Sequence, residues 1–158
     1  MRIIDTTTFF EEHMMMDIRF NVLNPYVDKF IVCESLTTHS GKRKNINFNL
    51  NDYPKFKDKI IHLVLEKEPE NLIKKNTLSV QEKRLNSILR IRAQRNYIKN
   101  CLNQFSPEDY VIHSDNDEIP NLEKFDFRLN SKKFVLFNQK IFYYKLNLGL
   151  TDLNWFGS

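Results

Sequence analysis

Lys29-Phe30-Ile31-Val32-Cys33-Glu34-Ser35 is an unbroken apolar run, closed at one end by a lysine and at the other by a glutamate and a serine. It does not alternate apolar with polar, as a strand with one wet face would. A short continuous run of β-formers marks a strand covered on both faces, and such strands belong to parallel sheets flanked by helices. Outward from it, Arg2 to Asp5 predicts a short strand on the N-terminal side. Thr8-x-x-Glu11 has the spacing of a helix-starting capping box, and a helix is expected from there to about Leu23, stopped by Asn24-Pro25. Its apolar stripe is Phe9, His13, Met16, Phe20 and Leu23, with Phe10, Met14 and Ile18 beside it.

On the C-terminal side, Asp58 to Leu65 predicts a third strand, and Leu78 to Phe105 the longest helix. Asp109 to His113 predicts a fourth strand, and Lys133 to Phe137 and Lys140 to Leu146 two more. The expected order is β-α-β-β-α-β followed by β-β. Helices alternating with buried strands predict an α/β sandwich around a mostly parallel sheet. At 158 residues, with 41% hydrophobic and 13% aromatic side chains, the chain suits one domain with one core, residues 1–158.

Several classes are excluded early. The net charge of +4 is mild, and the only compact basic cluster is Lys42-Arg43-Lys44, so nucleic acid is not the expected partner. No apolar run reaches 18 residues, so no membrane span is expected. Cys33 and Cys101 are too few for a disulfide framework or a four-ligand zinc site. Both are expected to be reduced core thiols, which with the absence of an N-terminal apolar leader predicts a cytoplasmic protein. No G-x-S-x-G, P-loop or G-x-G-x-x-G is present.

Chemistry is expected where an open α/β sheet binds its ligands, beyond the carboxyl ends of the strands. Two such ends are unusual. One leads into Glu34-Ser35. The other, after Val111-Ile112, leads into His113-Ser114-Asp115-Asn116-Asp117-Glu118, three carboxylates in four residues. Like charges so close repel, and hard oxygen ligands of this kind suit Mg²⁺ or Mn²⁺ shared with the phosphates of a nucleotide. Asp-x-Asp arises by chance too readily to decide the matter, and an equally weighted reading has Asp115 or Asp117 cap a helix beginning near Pro120. On the long helix, Ile88, Ile91, Ile98, Leu102 and Phe105 form an apolar stripe that includes Arg95, with Arg92 one position round. A core-facing arginine needs a partner. The acidic turn offers one, either as a structural ion pair or with the guanidinium on a diphosphate or on metal-ligand carboxylates. His13, His39, His62 and His113 lack metal-ligand spacing and read as structural. Tyr143-Tyr144 and Trp155-Phe156 are either stacking platforms for a sugar or core and edge aromatics.

Four blocks also resemble a known family. They are Asp17-Ile18-Arg19-Phe20, Val27-Asp28 through Ser35 with Thr38 and Gly41, Gln94-Arg95-Asn96-Tyr97, and Asp109 through Pro120. In this order and spacing, from about Ile4 to Gly157, the chain resembles glycosyltransferase family 17, to which β-1,4-mannosyl-glycoprotein β-1,4-N-acetylglucosaminyltransferases belong. The resemblance implies a GT-A-like (Rossmann-like) fold. It also implies metal-dependent, inverting transfer of a sugar, N-acetylglucosamine, from a UDP-sugar donor to a glycan or glycoprotein acceptor. By position, it implies Asp117 as main metal ligand for Mn²⁺ or Mg²⁺, with Asp115 and Glu118 in its shell or on the ribose. Glu34 and Ser35 fall on the nucleotide, and Arg95 on the acidic loop or the diphosphate. The catalytic base stays unassigned, Asp152 being the only acidic residue after Asp126. The family pattern also leads one to expect acceptor-side structure beyond Ser158, so the domain is expected to be short on that side. Two other readings stay open: a non-catalytic nucleotide-sugar or glycan-binding remnant, and a metal-dependent nucleotidyltransferase.

Overall fold

The computed structural model describes residues 1–130, 132–142 and 148–157. Four parallel strands, β1 (Ile3–Phe9), β2 (Lys29–Ser35), β3 (Ile60–Leu65) and β4 (Tyr110–His113), form one sheet in the order β3-β2-β1-β4. Helix α1 (His13–Leu23) follows β1, and α2 (Val80–Tyr97) with the short α3 (Lys99–Leu102) precedes β4. An antiparallel pair, β5 (Phe137–Phe142) and β6 (Gly149–Gly157), closes the chain. The expected α/β order is therefore met, and the sheet is parallel throughout.

Alternation along the strands divides the core in two. Phe9, Phe30, Val32 and Ile112 face α1 through Met16, Phe20 and Leu23, together with Phe48, Tyr53 and Phe56 from the β2–β3 connection. Ile4, Ile31 and Cys33 face the other way, onto Ile98 and Cys101. Helices thus cover both faces, which explains why β2 is apolar at successive positions. Both cysteines are free and buried, as expected.

Three local expectations are corrected. Strand β1 continues through Thr6, Thr7 and Thr8 to Phe9, with Thr8 opposite Cys33 in the ladder. Thr8 and Glu11 therefore form no capping box, and α1 starts at His13, without a side-chain cap. Three successive β-branched residues suit a strand, and Thr6, Thr7 and Thr8 all pair with β2, with Thr6 also on β4, a ladder that a cap cannot match. Met16, Phe20 and Leu23 are buried as predicted, whereas Phe10, Met14 and Ile18 are exposed. The long helix stops at Tyr97 and is followed by α3, so Phe105 lies outside it. It starts with a capping box, one residue pair later than expected, between Ser79 and Glu82. Finally, Lys133 to Leu136 is not a strand. The hairpin pairs Phe137–Phe142 with Gly149–Gly157 instead, while Tyr143, Tyr144 and the rest of the expected last strand lie outside the described residues. Among the described residues, no helix is long and apolar enough to cross a membrane.

Candidate functional site

Sheet order β3-β2-β1-β4 means that the chain leaves β1 toward β2 and returns on its opposite side as β4. The two connections part company at the carboxyl ends of β1 and β4, and such a switch point opens a crevice. A cavity of about 270 Å³ lies there. Its walls come from the end of β1 (Thr8 to Phe10), from Ser35 and Thr37 after β2, from Gln94 and Arg95 on α2, and from Asp115, Asn116 and Asp117 after β4.

The acidic turn does not cap a helix, because none begins at Pro120. That alternative reading of Asp115 and Asp117 is thereby removed. The segment is a tight turn closed by the Glu118 N–H on the Asp115 carbonyl at 3.1 Å. Asp115 and Asp117 line the cavity, and Asp117 is exposed. Glu118 points elsewhere. One of its oxygens accepts the Trp155 indole N–H at 2.6 Å and the other the Asp115 N–H at 3.3 Å, so it braces the turn against β6. Among the described residues, no three His, Cys, Asp or Glu side chains converge as a ready ligand group. Glu12 also lines the cavity, but its carboxylate already accepts the Phe10 and Glu11 N–H groups at 3.0 and 3.1 Å, which leaves the carboxylates of Asp115 and Asp117. That donor set fits a hard cation such as Mg²⁺ or Mn²⁺, which is commonly held by one or two carboxylates, waters and substrate phosphate.

Arg95 differs from its expected placement. Its side chain is 43% exposed and it pairs with Asp115, equally exposed, at the cavity wall. The buried line on α2 and α3 runs through Gln94, Ile98 and Cys101, and one residue is about 100° of helix, so Arg95 emerges on the flank. Arg92 is exposed. Gln94 does the anchoring: its amide N–H groups reach the Cys33 carbonyl at 2.8 Å and the Phe9 carbonyl at 3.3 Å, tying α2 to the ends of β2 and β1.

Ser35 lines the cavity, but Glu34 lies behind its wall and is fully buried. The Glu34 carboxylate accepts the Asn47 N–H at 2.8 Å and the Phe48 N–H at 3.0 Å, and it pairs with Lys44. The His62 ring stands 3.4 Å away. Lys44 in turn lines the cavity, 5.4 Å above the Phe10 ring. Next to the turn, His113 Nδ1 lies 2.9 Å from the Thr6 hydroxyl. Burial, and then the charge of Arg95, push the His113 pKa down, which favours the neutral ring.

The arginine that is fully buried is Arg19, on α1. It bonds both oxygens of Asp5, at 2.6 and 2.7 Å, and reaches across to the acidic turn. Its signal was visible as a charge on the Met16–Phe20–Leu23 stripe, matched by Asp5 inside a β-branched strand. Asp152's side chain and Tyr143-Tyr144 lie outside the described residues.

A family model, glycosyltransferase family 17, matches residues 1–132. The chain belongs to glycosyltransferase family 17. No curated protein and no solved structure gives a significant match. Membership in family 17 makes the chain a transferase-family domain, and it implies a nucleotide-sugar donor and a glycan acceptor. The matched span includes every wall of the cavity, from Thr8 to Asp117.

Proposed function

We propose that this family 17 chain binds a UDP-sugar in the switch-point cavity and transfers the sugar, N-acetylglucosamine, with inversion to a glycan or glycoprotein acceptor, on a GT-A-like fold. The observation behind this reading is the acidic turn at the carboxyl end of β4, with Asp115 and Asp117 opening into the cavity and no helix for them to cap. Asp117 and Asp115 would hold Mn²⁺ or Mg²⁺ there, with Glu118 holding the turn in place. A bound metal of this kind supplies charge neutralisation at the diphosphate leaving group. Ser35 and Thr37 line the cavity and would meet the nucleoside, and Arg95 would exchange its Asp115 contact for a phosphate oxygen. The buried thiols support a reducing, cytoplasmic setting.

The test is calorimetric titration of UDP and UDP-N-acetylglucosamine with and without Mn²⁺, on the native chain and on Asp117→Asn. We expect Mn²⁺-dependent binding that falls at least tenfold in the variant, about 1.4 kcal/mol or more, with an unchanged melting temperature because Asp117 is exposed. Equal binding by both proteins would overturn the assignment. ATP titrated in parallel separates a nucleotidyltransferase, which would prefer the triphosphate. Turnover on glycan acceptors separates an enzyme from a binding remnant.

A further inference from the structure

We propose that Arg19, held by Asp5, is the positioning residue of the Asp115–Glu118 turn: it binds the backbone of the turn and thereby aims its aspartates into the cavity. The inference rests on the reading of that turn as the donor site.

Arginine has five N–H donors in a planar fork. In Arg19 one edge of the fork takes both Asp5 oxygens, at 2.6 and 2.7 Å. The rest is directed at the turn. Nη2 donates to the Ser114 hydroxyl at 2.7 Å, and Nη1 faces the carbonyls of Asp115 at 2.9 Å, Glu118 at 3.0 Å and Asn116 at 3.4 Å. The Ser114 hydroxyl in turn donates a hydrogen bond to the Glu118 carbonyl at 3.0 Å. With these carbonyls drawn inward onto one cation, the peptide planes of the turn are set, and the Asp115 and Asp117 side chains line the cavity on the other side. Asp5 supplies the fixed point, since it sits 1% exposed in β1 between Phe30 of β2 and Ile112 of β4.

A core ion pair alone would not need this geometry. Buried pairs contribute little net stability against apolar replacements of similar size, so stability does not explain an arginine at this position. Its contacts with three carbonyls of the turn, those of Asp115, Asn116 and Glu118, do. Arg95 holds the same turn from outside through the Asp115 side chain, and Arg19 holds it from inside through the main chain.

The experiment compares the native chain with Arg19→Lys, which keeps the charge but not the fork, and with the double variant Arg19→Met/Asp5→Leu, which leaves no buried ion unpaired. Thermal melts, hydrogen–deuterium exchange and Mn²⁺-dependent UDP titration are run on each. In both variants we expect exchange across Ser114 to Ile119 to rise tenfold or more, with β1 and β2 as protected as before. UDP affinity in Mn²⁺ should fall at least tenfold, while the double variant melts cooperatively near the native temperature. Native-like protection of the turn in the variants would overturn the positioning role. If the native chain itself binds no UDP with Mn²⁺, the donor-site reading falls, and the exchange result decides the positioning role alone. If the double variant does not fold, Ser114→Ala, which cuts one strand of the same network, decides instead by the same exchange readout.

Discussion

Glu34 is a carboxylate at the end of β2 with no exposed surface, and its chemistry is set entirely by what surrounds it. Burial by itself raises its pKa, but the His62 ring, the Lys44 ammonium and the N–H groups of Asn47 and Phe48 outweigh that and hold it at about 2, below an ordinary 4.5. A folded pKa below the unfolded one adds stability above pH 4.5, and this is lost as pH falls from 4.5 toward 2. The difference corresponds to about 3 kcal/mol. Melting temperature followed from pH 7 to pH 2.5 should therefore fall through that window in the native chain. Glu34→Gln should start lower and change less with pH; parallel slopes would contradict this account. The residue type and its place after an apolar run were plain in the sequence. Its direction was not, because the strand's alternation sends Glu34 to the α1 face while Ser35 reaches the cavity.

At the scale of elements, the loop after β2 forms one rim of the cavity. It turns back on itself through the Gly41 N–H on the Thr38 carbonyl at 2.9 Å and the Thr38 N–H on the Lys42 carbonyl at 2.8 Å. Gly41 has φ +92°, and a Cβ there would lie 2.7 Å from Arg90 Nη2. Arg90 joins the loop to α2 by donating to the His39 carbonyl at 3.3 Å. Gly41→Ala should cost about 1–2 kcal/mol in urea unfolding, mostly backbone strain. Adding Arg90→Ala should recover only the steric part, since the far end of that side chain can move aside. Full recovery in the double variant would assign the cost to collision instead. The β1–α1 junction shows how an element-level pattern can mislead. Thr8-x-x-Glu11 has capping-box spacing, yet the strand claims Thr8, because ladder pairing with Cys33 is available only once β2 is alongside.

In the molecule as a whole, the sheet separates two cores, and each cysteine lies in the one facing α2 and α3. Burial, and then the neighbouring Glu34, raise the Cys33 thiol to about 12, and burial raises Cys101 as well. Both shifts favour the protonated thiol, and both residues are buried in the folded state. Alkylation by iodoacetamide at pH 8 should thus be absent in the native protein and should track unfolding as urea is added. Rapid labelling of either cysteine without denaturant would contradict the packing. Continuous apolar runs, helix periodicity and a polar break after each strand are local features, and from them the chain alone determined a parallel α/β domain, its element order and the acidic turn at a strand's end. Which charges are buried was decided only by the tertiary structure. Asp5, Arg19 and Asp115 meet although the last two are 96 positions apart, and periodicity on the long helix put Arg95 on the core side while the partner that buries Arg19 came from another element. The physical reason is that burial of a charge depends on a partner arriving from another element. Spacing within one helix gives a phase to within about one residue, or 100°, and that error is enough to exchange a wall of the cavity for its support.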